Sequence, residues 1–518
     1  RSFYEYCYKT QKTVLQEMLY ASKDTEFGKM HDFSNINSIE EFRKKVPILE
    51  WSDYEEYSNR LADGESDLLF PGKATYFYRT SGTSAEYKFI PESEREATAR
   101  KVLDSVRNVE RALITSTKAS KRMFTFFNKA SFDVTKGGIP CGTASGHSTN
   151  SQDEDVLDNL AYVPDVVEEF EGEELNYVIM RLCLYYDDIS FILGNNAKMM
   201  TSLIISAGDN ALDIIDDIKN GTCKYKLSSK LTSKEADALK PNAKRAKELK
   251  RLYDEGKFIP KYYWPRLQAV SFWLGGSVGV YVDELKTYIA DDVKCVDVGY
   301  GASEAKINIP NKEGSPSGPL AIFSTFFEFI PEEGGEVLLA HELEVGKNYE
   351  IIITNYAGLY RYRLKDMIHV DGFTGNTPDI SFLTKLSDVA NLAQEKIPGT
   401  MLIKAINELI DSFGCKLNIA QVYPNPKNMC YNILLETDVE PKQKNELETY
   451  LEKGLCDKLS QYNTYRNKLL NPAKLILMKE GFAKELTKEY TKSNATMAQV
   501  KVPVVRDNMP DEKWILQQ

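Results

Sequence analysis

The chain has 518 residues, 42% hydrophobic and 27% charged, with a formal charge of -11. That composition excludes a disordered chain, and an acidic balance without a long Lys/Arg run argues against a nucleic-acid partner. The most apolar stretch, Gln268 to Val282, is interrupted by glycines and falls short of the roughly 20 residues of a membrane span, so it reads as core. Eight cysteines without a C-x-x-C pair indicate neither a zinc site nor a disulfide scaffold, and fit a reducing, cytoplasmic compartment. Length alone predicts two to four domains at roughly 100 to 200 residues each, here one large and one small.

Residues 1 to 70 read as helices: Val14, Leu15, Met18 and Leu19 fall at helical spacing, and Ser38 with Glu41 forms a capping box before Phe42. Beyond about 70, short apolar runs (Met123 to Phe127, Tyr177 to Leu184, Ile189 to Leu193) alternate with helical patterns, which predicts mixed sheets covered by helices. Residues 229 to 257 lack a sustained apolar stripe and predict exposed helices. Glu336 to Ala340, Tyr349 to Asn355 and Gly358 to Val370 predict successive strands of a meander. After Pro378 the pattern changes to a helix at Met401 to Phe413, strands at Asn418 to Tyr423 and Tyr431 to Glu436, a Leu447, Leu451, Leu455, Leu459 helix, and a strand at Lys474 to Lys479. The expected fold is α/β, with a large mixed-sheet domain and a small α+β domain.

Three segments carry chemistry. Tyr78 to Pro91 places Thr80, Ser81, Gly82, Thr83 and Ser84 ahead of Lys88, directly after a strand-like run. Glycine permits close backbone approach, and main-chain N–H groups with hydroxyls can wrap phosphate oxygens. The spacing is not that of a Walker A loop, and a plain turn is the bland alternative. Tyr300-Gly301-Ala302-Ser303-Glu304 and Tyr356 to Asp366 follow in order.

These three segments resemble the nucleotide motifs of the Gretchen Hagen 3 (auxin-responsive) acyl-acid amido synthetases, a family within the adenylate-forming superfamily. The resemblance extends over Thr25 to Gly28, Phe42-Arg43, Thr135 to Pro140, Trp264-Pro265, Phe327-Glu328-Phe329 and Gln499 to Pro503. It implies an ATP-dependent ligase that converts a small carboxylic acid into its acyl-adenylate and passes the acyl group to an amine or amino acid. It also implies residues 1–385 as the large domain, a hinge at 386–390, and residues 391–518 as the small mobile domain. By resemblance Glu304 ligates Mg²⁺, for which a carboxylate is a suitable hard ligand. Asp366 grips the ribose hydroxyls, and Lys501 bridges the attacking carboxylate and the α-phosphate.

Tyr300 and Phe326 stand where the family packs adenine, a core position being the equal alternative for Phe326. By resemblance Gly275, Gly276 and Ser277, with Thr143, Ser145 and His147, line the acid pocket, an ordinary loop histidine being the equal alternative for His147. Two departures matter: Lys365 replaces a glycine before Asp366, and Lys385 replaces an arginine, whose bidentate fork a lysine cannot reproduce. The expected molecule is a cytoplasmic monomer using ATP and Mg²⁺ on small molecules, with no nucleic-acid or membrane partner. The alternatives are an acyl-CoA ligase and a non-catalytic nucleotide-binding relative.

Overall fold

The computed structural model describes residues 2–80, 88–115, 122–126, 133–144, 146–147, 159–162, 167, 169–170, 172–227, 233–275, 281–386, 388–392, 395, 397–466, 469–491, 502–506 and 508–516. The chain forms two compact units, Arg1–Leu364 with His369–Ser381, and Lys365–Ile368 with Phe382–Gln518. Among the described residues no helix is long and apolar enough to cross a membrane.

The first unit opens with helices α1 (Cys7–Ser22), α2 (Glu26–Met30), α3 (Ile39–Lys45) and α4 (Trp51–Ala62). Ser38 caps α3 by accepting from the Glu41 amide, but the Glu41 carboxylate reaches back to the Asn37 amide, so the predicted box is only half formed. Strands β1 (Tyr76–Thr80) and β2 (Lys88–Glu92) pair antiparallel, with Thr80 opposite Lys88. Helix α5 (Glu94–Thr115) follows.

Next come β3 (Arg122–Phe126), β4 (Asp133–Val134), β5 (Pro140–Gly142), α6 (Gly172–Leu184), β6 (Ile189–Gly194), α7 (Ala197–Asp209), α8 (Ala211–Asn220), α9 (Ser233–Ala238), α10 (Ala243–Asp254), β7 (Ala269–Phe272) and β8 (Lys294–Asp297). One sheet has the order β2-β1-β5-β4; another, β3-β6-β7-β8, is parallel throughout. Parallel strands are covered on both faces, which explains runs such as Ile189 to Leu193.

Two expectations fail here. Tyr177 to Leu184 is not a strand but the end of α6, buried all round by the core, with Arg181 enclosed too and met by the Thr222, Ala238 and Asp217 carbonyls. Helix α10 does own a core stripe, Arg245, Ala246, Leu249 and Leu252, in which a buried arginine interrupts the apolar spacing.

A six-stranded sheet, β11-β10-β12-β13-β14-β9, is built from β9 (Gly318–Pro319), β10 (Thr325–Pro331), β11 (Leu338–Leu339), β12 (Asn348–Asn355), β13 (Tyr362–Thr374) and β14 (Thr377–Lys385). The expected meander is present, with Glu336 to Ala340 reduced to a two-residue strand. On β10 the buried Glu328 carboxylate accepts from Arg361 Nε at 2.9 Å and from Arg43 Nε at 2.8 Å, and Arg361 Nη1 also donates to the Val46 carbonyl at 2.9 Å. Helix α3, β10 and the third motif are thereby tied at one buried charge. The sheet crest around Arg361 depends on it.

The second unit has β15 (Val389–Ala390), β16 (Ile397–Pro398), α11 (Gly399–Phe413), β17 (Leu417–Asn425), β18 (Cys430–Thr437), α12 (Lys444–Lys458) and β19 (Lys474–Leu477). Its sheet β17-β18-β19 packs against α11 and α12 through Leu402, Ile406, Leu409, Leu447, Leu451 and Leu455. Residues 503–506 run along β17: Val422 N donates to Val504 O at 2.7 Å and Arg506 N to Val422 O at 3.0 Å. The Asp388 carboxylate accepts from Val505 N at 2.7 Å, fixing this segment to the start of the unit.

Glu328→Gln leaves the buried Arg361 guanidinium and the part-exposed Arg43 guanidinium without their anion. It is expected to cost about 3 kcal/mol, read as a lower urea midpoint at unchanged slope. An unchanged midpoint would show that the pairing contributes nothing net.

Candidate active site

The second motif begins where β8 ends. Asp297 accepts from Leu274 N and Gly299 N, both at 2.6 Å, and burial raises its carboxyl to about 6. Gly299 sits at φ +98°, and a Cβ there would meet the Arg107 guanidinium at 2.5 Å, so glycine is required on both counts. Helix α5 braces the loop from one side. Arg107 Nη2 donates to Tyr300 O at 2.8 Å, Arg107 Nε to Asn308 O at 3.0 Å, and Arg100 Nη2 to Ser303 O at 2.8 Å. Asn355 Nδ2 holds the Glu304 carbonyl at 2.7 Å, and Ala302 N bonds to Ala305 O at 2.8 Å across the turn. Gly301 bridges to Lys306, which pairs with Asp104 of α5 and is drawn down to about 8 by burial. Tyr300 remains part-exposed.

The Glu304 side chain emerges from this braced loop 8% exposed. Tyr362 Oη lies 3.5 Å from Glu304 Oε1, and Lys88 Nζ lies 3.4 Å from Tyr362 Oη and 5.6 Å above the Trp51 ring. The lysine that ends the first motif, the tyrosine that starts β13 and the glutamate of the second motif therefore converge. These are long contacts of a kind that a ligand can tighten or replace.

Arg361 and Lys365, both in the third motif, adopt positive φ, +51° and +60°. Lys365 occupies the position of the expected glycine, so the turn survives with a Cβ in the left-handed region, at a cost of about 1 kcal/mol. Its carbonyl accepts from Leu386 N at 2.9 Å. Within the second unit Asp366 is buried, and Lys385 Nζ reaches its Oδ1 at 3.0 Å. The lysine in the arginine position thus pairs with the carboxylate assigned to ribose, as a point charge rather than a fork.

His147 and Thr143 lie on a helical turn after β5, where Thr143 Oγ1 accepts from Gly146 N at 3.0 Å. The His147 ring stacks on Tyr76 with centroids 3.9 Å apart, and its Nε2 lies 2.9 Å from Glu92 Oε2. Tyr78 also donates to Glu92, and Arg100 lies 4.5 Å over the Tyr78 ring while pairing with Glu96 at 2.7 Å. Burial acts to raise the Glu92 carboxyl, but His147, Arg100 and Tyr78 outweigh it and hold the group below its ordinary range.

Phe326 is fully buried on β10 against Phe42, with centroids 6.2 Å apart, and so takes the core position. Gly275 lies just past β7, where a Cβ would meet Pro316 at 3.1 Å. The Thr80 backbone closes β1. Ser81, Gly82, Thr83, Ser84, Ser145, Gly276, Ser277 and Lys501 lie outside the described residues.

The sequence reading missed the buried stripe of α5: Glu96, Arg100, Leu103, Arg107 and Thr115. Its spacing is helical, but its chemistry is that of a solvated face. No cluster of three or more acidic, His or Cys ligands occurs among the described residues. Glu304 fits Mg²⁺ as a single carboxylate, the usual arrangement for a cation that keeps water and phosphate oxygens as its other ligands.

Lys365→Gly is expected to raise stability by about 0.5 to 1 kcal/mol, the relieved strain being partly offset by the greater freedom of an unfolded glycine; a loss measured by urea denaturation would contradict the strained turn. The Asp297 carboxyl is raised from 3.8 to about 6, so the folded state binds the extra proton and this residue's stabilisation falls as pH climbs from about 4 to about 6. Asp297→Asn should therefore gain on the wild type by on the order of 2 to 3 kcal/mol across that window, whatever its fixed cost. A pH-independent difference would contradict the raised value.

Comparison with known proteins agrees with this geometry. The GH3 family N-terminal domain matches residues 1–294, the GH3 central domain 318–385 and the GH3 C-terminal domain 401–509. The 4-substituted benzoates-glutamate ligase GH3.12 of Arabidopsis thaliana is 23% identical, over 95% of this chain and 92% of its own length. Jasmonoyl-L-amino acid synthetase GH3.5 of Oryza sativa subsp. japonica is 24% identical over 96% and 91%. Among solved structures, GH3.15 acyl acid amido synthetase matches with a TM-score of 0.82 at 19% identity, covering 100% of this chain and 95% of its own. A 2-hydroxyisobutyryl-CoA ligase in its postadenylation state matches at 0.55 and 11% over 97% and 88%. Both structures establish the adenylate-forming fold. With the N-terminal domain alone spanning more than half of the sequence, the chain belongs to the GH3 family.

Proposed function

We propose that this protein is an ATP-dependent acyl-acid amido synthetase. Its reaction joins a small carboxylic acid to an amine, with an amino acid as the expected acceptor, through an acyl-adenylate. The convergence of Lys88, Tyr362 and Glu304 in a GH3 chain is the observation that carries the reading. A carboxylate oxygen attacks the α-phosphorus of ATP and the bond to pyrophosphate breaks. The amine nitrogen then attacks the acyl carbon, AMP leaves, and the nitrogen gives up a proton.

Both partners in the first step are anions, so the site must neutralise charge before they meet. Lys88 supplies one cation where the first motif ends, and Thr80, Ser81, Gly82, Thr83 and Ser84 precede it as the phosphate loop. Mg²⁺, held by Glu304, would neutralise phosphate charge. Tyr300 offers its part-exposed ring to adenine, and Asp366, paired with Lys385, is the ribose acceptor. Lys501 is the lysine that bridges carboxylate and α-phosphate. Support for its delivery comes from the main chain shortly after it, where residues 503–506 are bound to β17 and Asp388. A hinge at 386–390 fits a chain that must serve two half-reactions in turn. On this reading the protein acts as a cytoplasmic monomer.

Acid-dependent ATP–pyrophosphate exchange tests the first half-reaction, and mass spectrometry with mixed amino acids and CoA tests the second. Lys501→Ala is expected to lower exchange by roughly 10²- to 10³-fold, the range for losing one preorganised charge donor. Retained exchange in that variant, with AMP still bound, would remove Lys501 from the mechanism. A thioester as the sole product would replace the amide reading with a CoA ligase.

A further inference from the structure

An amine that attacks an acyl-adenylate must give up a proton, and the groups assigned so far do not accept it, Lys88 being a cation and Glu304 a metal ligand. A histidine backed by a buried carboxylate stands on the β2-β1-β5-β4 sheet. In the β1–β2 hairpin Thr80 lies opposite Lys88 and Tyr76 opposite Glu92, so alternation puts Thr80, Tyr78 and Tyr76 on one face with Lys88 and Glu92. Strand β5 runs beside β1 with Gly142 opposite Tyr78, and the turn that follows it lays the His147 ring on Tyr76 of that face. Four residues separate Lys88 from Glu92, roughly 13 Å of strand, so the histidine stands back from the end that leads into the phosphate loop.

His147 is clamped by three neighbours. Its ring stacks on Tyr76 with centroids 3.9 Å apart, meets Tyr78 edge-on at 5.8 Å, and sets Nε2 at 2.9 Å from Glu92 Oε2. The other Glu92 oxygen accepts from Tyr78 Oη. Burial opposes the charge on Glu92, which is 2% exposed, but His147, Arg100 and Tyr78 keep it ionised. An ionised carboxylate only accepts, so neutral His147 carries its proton on Nε2 and leaves the Nδ1 lone pair free. Among the described residues nothing hydrogen-bonds to Nδ1, and the side chain is 28% exposed, so part of the ring meets solvent. The remaining charged or titratable groups nearby are Arg100 and Glu96 of α5, behind Tyr78, and Cys141 of β5, beside Tyr76. Arg100 in turn holds the Ser303 carbonyl at 2.8 Å, which joins this cluster to the loop that carries Glu304.

We infer that His147 is the general base of the amide-forming half-reaction and that Glu92 is its positioning residue. The inference rests on the adenylation reading and completes its second step. The amine nitrogen forms the C–N bond, the C–O bond to AMP breaks, and the nitrogen's proton passes to His147 Nδ1. The imidazolium lies against the Glu92 carboxylate, which stabilises it until the proton returns to solvent. Attack of an ionised carboxylate on ATP releases no proton, so the two half-reactions depend on His147 to different extents.

The test uses the full chain with a panel of aromatic and aliphatic acids, benzoate, phenylacetate and hexanoate among them. Pyrophosphate exchange is compared with amides formed from an equimolar mixture of the twenty amino acids and with hydroxamate formed from hydroxylamine. Hydroxylamine is uncharged near neutrality and attacks without a base, so its product reports delivery of the adenylate. His147→Gln is expected to lower amide formation about 10²-fold more than exchange, with hydroxamate falling only as far as exchange. Glu92→Gln can donate to Nε2 and so favour the wrong tautomer. It should lower kcat for the amide by at least about 10-fold, with the KM of the fastest-used amino acid unchanged. This second variant decides the matter where His147→Gln does not fold. Exchange, hydroxamate and amide falling together in both variants, or none of them falling, would overturn the inference while leaving adenylation standing. Wild-type exchange without any amide would fell the amide reading and this inference with it. Absence of exchange across the panel, ATP still binding, would fell the adenylation reading itself.

Discussion

A guanidinium taken out of water has to be met by carbonyl or carboxylate oxygens, and that requirement shapes both the second and the third motif. Arg107 and Arg100 come from α5 and collect the carbonyls of Tyr300, Asn308 and Ser303. Arg361 lies inside the third motif and collects Glu328 and the Val46 carbonyl. A loop whose carbonyls are claimed in this way has few conformations left. Glu304 and Tyr362 are therefore presented on ordered backbone before any substrate arrives, and little ordering is deferred to the reaction. The arrangement is costly if any partner is removed, because a buried cation remains behind.

The same logic explains why strain is tolerated in the third motif. Arg361 and Lys365 both hold left-handed backbone, which side chains with a Cβ resist. Arg361 is repaid by its buried hydrogen bonds. Lys365 is exposed, and its carbonyl accepts the Leu386 amide just where the chain leaves β14. At that junction Lys385 faces Asp366, so one positive charge sits on the carboxylate assigned to ribose. A lysine there has a single compact charge to share, and a nucleotide hydroxyl must compete with it for the same oxygen.

Much of the architecture was legible because apolar spacing is a local property. Leu447, Leu451 and Leu455 face the core from α12 as their four-residue spacing requires, and the Ile189 to Leu193 run is a buried parallel strand. Tyr177 to Leu184 misled because a helix enclosed on all sides loses its polar face, and with it the period that would identify it. Helix α10 misled for the opposite reason, with Arg245 buried where an apolar residue was expected. The motif residues were legible as types in order. Their braces were not: Arg107 and Asn308 lie 201 positions apart, and Arg43 and Glu328 lie 285 apart. Conversely, segments noted only as resemblances, Phe42-Arg43 and Phe327-Glu328-Phe329, acquire a physical reason as two sides of one buried ion cluster.

Helix α5 brings these threads together. Toward its start Glu96 and Arg100 meet Tyr78 and the Ser303 carbonyl; in its middle Arg107 holds Tyr300; toward its end Arg111 lies over Phe191. One rigid element thus braces the second motif and covers one face of the parallel sheet. Because a helix rises 1.5 Å per residue, the four positions from Arg107 to Arg111 separate these two duties by only about 6 Å. A substitution at Arg111 therefore falls one turn from the arginine that braces the loop carrying Glu304. Tilting the helix as a whole would disturb both at once, which ties its packing to the common chemistry.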